Sequence, residues 1–249
     1  VALVLAGCSR KQNAEEAEKT TQSEETTEMS AEEIARQEAE AQAQKEAAEQ
    51  DAAITAFVDS LSFREAASQL FLVNLQGNED FAPVEFEDGR AMIPGGYIFF
   101  SFNVASSPEK IIGFTDSIAS YCEDNALVPP YLSIDQEGGR VARGRHFLEV
   151  APSQEEIGYS GDYELAKYWA KHNATILKSI GVNLNFAPVA DVGSRDTRSF
   201  GDDAQVVAQY VDAAAQGYEA ENFLYTLKHF PGIGKSKIDP HQEISSVED

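Results

Sequence analysis

Tyr131-Leu132-Ser133-Ile134-Asp135-Gln136-Glu137-Gly138-Gly139-Arg140-Val141-Ala142-Arg143 follows a Pro129-Pro130 break. It reads as a short strand that runs directly into a polar turn. A brief apolar run bounded by turn residues is what a strand buried inside a parallel sheet shows. Asp135 then stands at the strand's C-terminal end, where the ligand sites of parallel α/β proteins gather. Two glycines let the chain turn tightly and bring Arg143 back toward Asp135. The same text read in isolation is an acidic turn carrying a surface ion pair.

Four further runs of this kind flank it. Leu70-Phe71-Leu72-Val73-Asn74-Leu75 is almost unbroken in its apolarity and reads as a strand buried on both faces. Gly96-Tyr97-Ile98-Phe99-Phe100 follows Pro94-Gly95, Gly181-Val182-Asn183-Leu184-Asn185-Phe186 alternates, and Phe223-Leu224-Tyr225-Thr226-Leu227 runs into Lys228-His229. An amphipathic segment over residues 61–69 precedes the first run. Helix-length segments over residues 107–125, 161–180 and 205–222 separate the later ones. Strand, helix, strand at this spacing means parallel βα units and an α/β fold. The first strand lacks the Gly-rich phosphate turn of a doubly wound sheet. A barrel takes about 250 residues, and about 190 are available from Ser60 onward.

The remainder of the 249 residues has a different composition. Residues 9–50 hold no aromatic residue and carry twelve Glu against five Lys or Arg. Residues 9–29 have no period and read as a disordered tether. Ser30-Ala31-Glu32-Glu33 has the form of a capping box, opening an Ala-, Glu- and Gln-rich stretch that reads as a solvated helix or part-helical spacer. The whole chain carries −23, a balance that repels phosphate backbones, so no nucleic-acid partner is expected. Two cysteines exclude a disulfide framework, and Cys122 reads as a small buried residue. Cys8 ends a short apolar run, Val1-Ala2-Leu3-Val4-Leu5-Ala6-Gly7, like the end of a secretory signal. Leu5-Ala6-Gly7-Cys8 resembles the bacterial lipobox, which implies lipidation of Cys8, a membrane anchor and an extracytoplasmic location. With no initiating Met and no basic segment ahead of it, the chain reads as beginning inside that signal. The expected organisation is a signal remnant over 1–8, an acidic linker over 9–52 and the packed domain over 53–249.

Further polar clusters sit where strands end. Ala187-Pro188-Val189-Ala190-Asp191-Val192 leads to Arg198-Ser199-Phe200-Gly201-Asp202-Asp203, where Arg198 is either a site residue or a loop arginine pairing with Asp202. The last strand leads to Lys228-His229-Phe230-Pro231-Gly232-Ile233-Gly234 and then to Asp239-Pro240-His241. A carboxylate two residues before a histidine can orient the imidazole and stabilise its protonated form, as general acid/base chemistry requires. The His and carboxylate spacing forms no usual ligand cluster, so neither metal nor cofactor is expected.

The ordered series LSIDQEGGRVAR, GVNLNFAPVADV, RSFGDD, KHFPG and D-x-H resembles the N-terminal domain of family 3 glycoside hydrolases, over about residues 60–249. The resemblance implies a (β/α)8 TIM-type barrel whose first five βα units are those read above. KHFPG with a following Asp-x-His is similar to the β-N-acetylhexosaminidases of the family. It implies that Asp135, Arg143, Arg198, Lys228 and His229 bind the terminal sugar, and that Asp239 and His241 form an acid/base dyad. It also implies a retaining removal of β-linked N-acetylglucosamine, with peptidoglycan fragments or chitooligosaccharides as substrates. A loop over residues 232–240 would let the dyad swing over bound sugar. Two positions depart from the family: Ile233 stands where PGHG has His, and Pro240 replaces a small spacer and restricts Asp239 to extended conformations. The family's nucleophilic Asp lies beyond the dyad loop, and Asp249 is too near His241 to match it. This 249-residue product alone is therefore expected to be inactive and poorly stable. A family 3 hydrolase for another β-sugar and a non-catalytic, membrane-tethered saccharide-binding protein are the rival expectations.

Overall fold

The structure is a computed structural model, and it describes residues 30–104, 107–193 and 197–234. The chain divides into two compact units, Val1–Asp59 and Ser60–Asp249. The first contains nearly all of helix α1 (Ala31–Ser60), which has no buried residue. Its start is set by the capping box, with Glu33 Oε2 accepting from Ser30 N at 3.1 Å and Ser30 Oγ accepting from Glu33 N at 3.2 Å. The ion pairs Arg36–Glu40 and Lys45–Glu49 lie along its exposed surface and contribute little. High intrinsic propensity, rather than a packed face, accounts for this helix.

In the second unit, strands β1 (Leu72–Asn74), β2 (Gly96–Phe99), β3 (Tyr131–Ile134), β4 (Leu184–Asn185) and β5 (Leu224–Tyr225) form one parallel sheet in chain order. The order runs one way without the reversal that defines a doubly wound sheet. Helix α2 (Phe63–Ser68) precedes β1; α3 (Pro108–Asp124) joins β2 to β3; α4 (Gln154–Ser160) and α5 (Tyr163–Lys178) join β3 to β4; α6 (Ala204–Ala220) joins β4 to β5. The architecture is parallel α/β, as the strand and helix spacing predicts. Among the described residues the sheet is open, with β1 and β5 at its edges.

Pleating separates the two faces of the sheet. Tyr97, Phe99, Leu132 and Ile134 are buried in one core with Phe114 and Ile118 of α3, Leu177 of α5 and Tyr218 of α6. Gly217 lets α6 lie against α5, because a Cβ there would collide with the Lys167 carbonyl. The alternate residues Ile98, Ser133, Leu184 and Leu224 lie in register on the opposite face, where Leu224 is 49% exposed. One expectation is corrected. The first apolar run is not buried on both faces: Leu72 and Val73 are 44% and 40% exposed, because β1 is an edge strand of the described sheet. Its apolar composition is shared with a central strand, and periodicity carries no information about position in the sheet.

Candidate functional site

The polar rim at the C-terminal ends of β3, β4 and β5 is assembled around the turn after β3. Gln136–Gly138 pairs with Val141–Ala142 as a two-stranded ribbon, and Gly138 and Gly139 take φ of +109° and +51°, values an L side chain rarely adopts. Gly139 N donates to the Ala151 carbonyl at 2.8 Å. The Arg145 guanidinium closes the turn by donating to the carbonyls of Gly139, Arg140 and Ala142. Beneath the turn, the buried Asn185 of β4 accepts from Gln136 N and donates to the Gln136 carbonyl, each at 2.9 Å. Asn185 also donates to the Tyr218 hydroxyl, whose pKa burial pushes up to about 12. These bonds fix where the side chains of residues 135–143 emerge.

The turn brings Arg143 back onto Asp135, with Arg143 Nη2 donating to Asp135 Oδ2 at 3.2 Å. Lys228, beyond β5, donates from Nζ to Asp135 Oδ1 at 2.7 Å and also contacts Glu137 Oε1. Burial would raise the Asp135 pKa, but the Lys228 ammonium and the Arg143 guanidinium outweigh it and hold the carboxyl below its ordinary value. Arg198 reaches Glu137 through two parallel bonds, Nε to Oε2 at 2.8 Å and Nη2 to Oε1 at 2.9 Å. This planar fork matches a carboxylate in a way that an ammonium does not. Arg198 Nη2 also lies 3.2 Å from His229 Nε2. On the other side of that ring, His229 Nδ1 is 2.7 Å from Asp191 Oδ2. Asp191 Oδ1 accepts from Ile233 N at 2.8 Å and His229 N at 3.4 Å. Burial raises the Asp191 carboxyl pKa, and the His229 ring with these amides lowers it further than burial raises it.

The structure thus gathers Asp135, Arg143, Arg198, Lys228 and His229 into one cluster. Asp239, His241 and Cys8 lie outside the described residues. The sequence reading assigned no role to Glu137 or Asp191, whose side chains are each only 3% exposed. Glu137 had a usable signal: a second carboxylate two residues after Asp135 in a turn that must face three cations. Asp191 had a weaker one, as the lone acidic residue ending the fourth strand. Among the described residues no group of three or more His, Cys, Asp or Glu could hold a metal ion.

With three carboxylates and three permanent cations interleaved, the cluster is close to neutral and rich in hydrogen-bonding groups. Such a rim suits an uncharged polyol better than an anion.

The model of the "Glycosyl hydrolase family 3 N terminal domain" matches residues 68–249. The chain is 35% identical over 160 residues to a Beta-hexosaminidase of Xylella fastidiosa, covering 60% of this chain and 46% of that protein. It is 30% identical over 188 residues to Beta-hexosaminidase LpqI of Mycobacterium tuberculosis, covering 73% and 46%. A solved glycoside hydrolase family 3 beta-N-acetylglucosaminidase from Paenibacillus superposes with a TM-score of 0.66 at 31% identity, covering 76% of this chain and 36% of that one. The chain spans less than half the length of these relatives. The matched region contains every strand of the parallel sheet and the whole charged rim, and on that span the chain belongs to glycosyl hydrolase family 3, as its N-terminal domain.

Proposed function

We propose that the complete protein is a retaining β-N-acetylhexosaminidase that removes terminal β-linked N-acetylglucosamine from peptidoglycan fragments or chitooligosaccharides. The observation that carries this reading is the Asp135–Lys228–Glu137–Arg198 cluster, a balanced set of donors and acceptors at the strand ends. Asp135 and Arg143 bind hydroxyls of the terminal sugar, and Arg198, Lys228 and His229 complete the pocket. The names of the hexosaminidase relatives support the choice of sugar.

Hydrolysis with retention divides into two displacements. In the first, a carboxylate attacks the anomeric carbon while His241, protonated and paired with Asp239, gives its proton to the departing glycosidic oxygen. In the second, neutral His241 takes a proton from water as that water displaces the carboxylate. A histidine serves because its charge changes near neutrality. The attacking carboxylate is none of the residues named above.

Cys8 supplies a lipid anchor that holds the enzyme on the extracytoplasmic side of a bacterial membrane; multiple acylation makes such an anchor stable. Cys8→Ala should move the protein from the membrane to the soluble fraction, and unchanged fractionation would remove the anchor from the proposal.

The decisive assay sets an aryl N-acetylglucosaminide against an aryl glucoside, using the full-length protein and its His241→Ala variant. Faster release from the first substrate, lost in the variant, supports the proposal. Faster release from the glucoside replaces the sugar. Saccharide binding without turnover of either substrate replaces the hydrolase with a tethered binding protein.

A further inference from the structure

The rim contains one continuous run of polar contacts in which acceptors and donors alternate. Asp191 Oδ2 faces His229 Nδ1, His229 Nε2 faces Arg198 Nη2, and Arg198 is forked onto Glu137. Glu137 meets Lys228, Lys228 meets Asp135, and Asp135 meets Arg143. Carboxylates only accept and the cations only donate. The imidazole between Asp191 and Arg198 must therefore donate at Nδ1 and accept at Nε2. With its proton on Nε2 instead, the ring would set a lone pair against the carboxylate at 2.7 Å and an N–H against the guanidinium at 3.2 Å.

Asp191 is well placed to impose that choice. Its carboxylate is nearly buried, and its Oδ1 is held by the amides of Ile233 and His229, which leaves Oδ2 aimed at the ring. Its own carbonyl accepts from Ser199 Oγ at 2.6 Å, so the same residue also holds the loop that presents Arg198.

We infer that Asp191 is a positioning residue that fixes His229 in the Nδ1–H form, so that its Nε2 lone pair faces Arg198 and the pocket the two residues complete. Only the consequences for sugar binding rest on the hexosaminidase reading; the tautomer itself does not.

The substitution Asp191→Asn tests this because a carboxamide cannot satisfy all these partners. If its oxygen serves the two amides, its NH2 donates to Nδ1 and drives the ring proton to Nε2. If its oxygen serves the ring, the NH2 faces two N–H groups. The amides hold the oxygen in two bonds against one, so the first arrangement is expected.

The measurement is nitrogen NMR of the His229 ring in the full-length protein, in mildly alkaline buffer, with His229→Gln used to assign the signal. The wild-type spectrum should show the Nδ1–H form, and Asp191→Asn should shift it toward Nε2–H. A wild-type ring carrying its proton on Nε2 overturns the inference even if the variant fails to fold, and so does an unchanged tautomer in a folded variant. Affinity for N-acetylglucosamine should fall at least about tenfold in Asp191→Asn, the loss expected when a hydrogen bond to a charged group is broken. If the tautomer shifts as expected while neither protein binds the sugar, the inference stands and the hexosaminidase reading falls.

Discussion

The helix-facing side of the sheet and the rim at its strand ends are both water-poor, yet they hold together by opposite means. Phe99 and Ile134 are fully buried, as is Leu177 against them, with no polar group to satisfy. Glu137 and Asp191 are almost as inaccessible, but each is a carboxylate whose burial is tolerable only because its partners are in place. The apolar side gains from area and packing and is indifferent to direction. The rim is directional, so the loss of one partner leaves another stranded. The first kind of region tolerates change by degrees, and the second does not.

Glu137→Gln is the strongest way to break that comparison. It removes the charge that faces Arg198 and Lys228, and breaking a buried pair from one side costs about 3–5 kcal/mol. Urea unfolding of the full-length protein should show a loss in that range, together with sugar affinity reduced by at least about tenfold. Leu177→Ala should come next, at about 3 kcal/mol for a buried leucine whose neighbours relax only in part. Its affinity for the sugar should stay within about twofold, because the Leu177 side chain belongs to the apolar core and makes none of the rim's polar contacts. If Leu177→Ala weakened sugar binding as much as Glu137→Gln does, the two regions would not be separate in function.

Acid should distinguish the two regions as well. Asp135 and Asp191 both titrate below the ordinary carboxylate range when folded, so their ionised forms stabilise the native state. That contribution is complete above the unfolded value of about 3.9 and disappears as pH falls through the lower folded values. Stability should therefore drop as pH falls below the unfolded carboxylate value of about 3.9. In Asp135→Asn the drop should be shallower, starting from a lower plateau at neutral pH. Leu177→Ala should shift the whole curve down without changing its slope. An acid limb of equal steepness in Asp135→Asn would mean that the Lys228–Asp135 contact does not couple to folding.

Much of the fold was legible because each strand is an apolar run bounded by turn residues, and the helix-length segments between the runs dictate parallel pairing. All five strands lie within the runs read from the sequence, and the turn of Arg143 onto Asp135 followed from Gly138-Gly139. Helix α4 and the ribbon after β3 were not legible: one is seven residues long and the other pairs strands of three and two residues, too short for a period to emerge. The exposed edge at β1 was hidden for another reason, since position in a sheet depends on residues far away in the chain. The same holds for Glu137 and Asp191. Arg198 is 61 residues from Glu137, and His229 is 38 from Asp191. The turn after Asp135 hinted at Glu137, but no local pattern marks such pairs, so Arg198 and His229 could be named while Glu137 and Asp191, which meet them, were not.

A junction between the two regions offers the mildest test. Ser153 caps α4, its Oγ accepting from Glu156 N at 3.2 Å while Glu156 Oε2 accepts from Ser153 N at 2.8 Å. Gly139, in the turn that presents Asp135 and Arg143, lies directly against Ser153, with no room for a Cβ between them. Ser153→Ala should cost about 1 kcal/mol, the usual loss on removing a cap. The methyl group preserves the contact with Gly139, and Asn185 and Arg145 continue to hold the turn. Sugar affinity should then remain within about twofold of wild type while thermal unfolding moves down. If affinity falls with stability, the turn takes its position from α4 rather than from its bonds to Asn185. The rim would then depend on packing, and the contrast between the two regions would be one of degree.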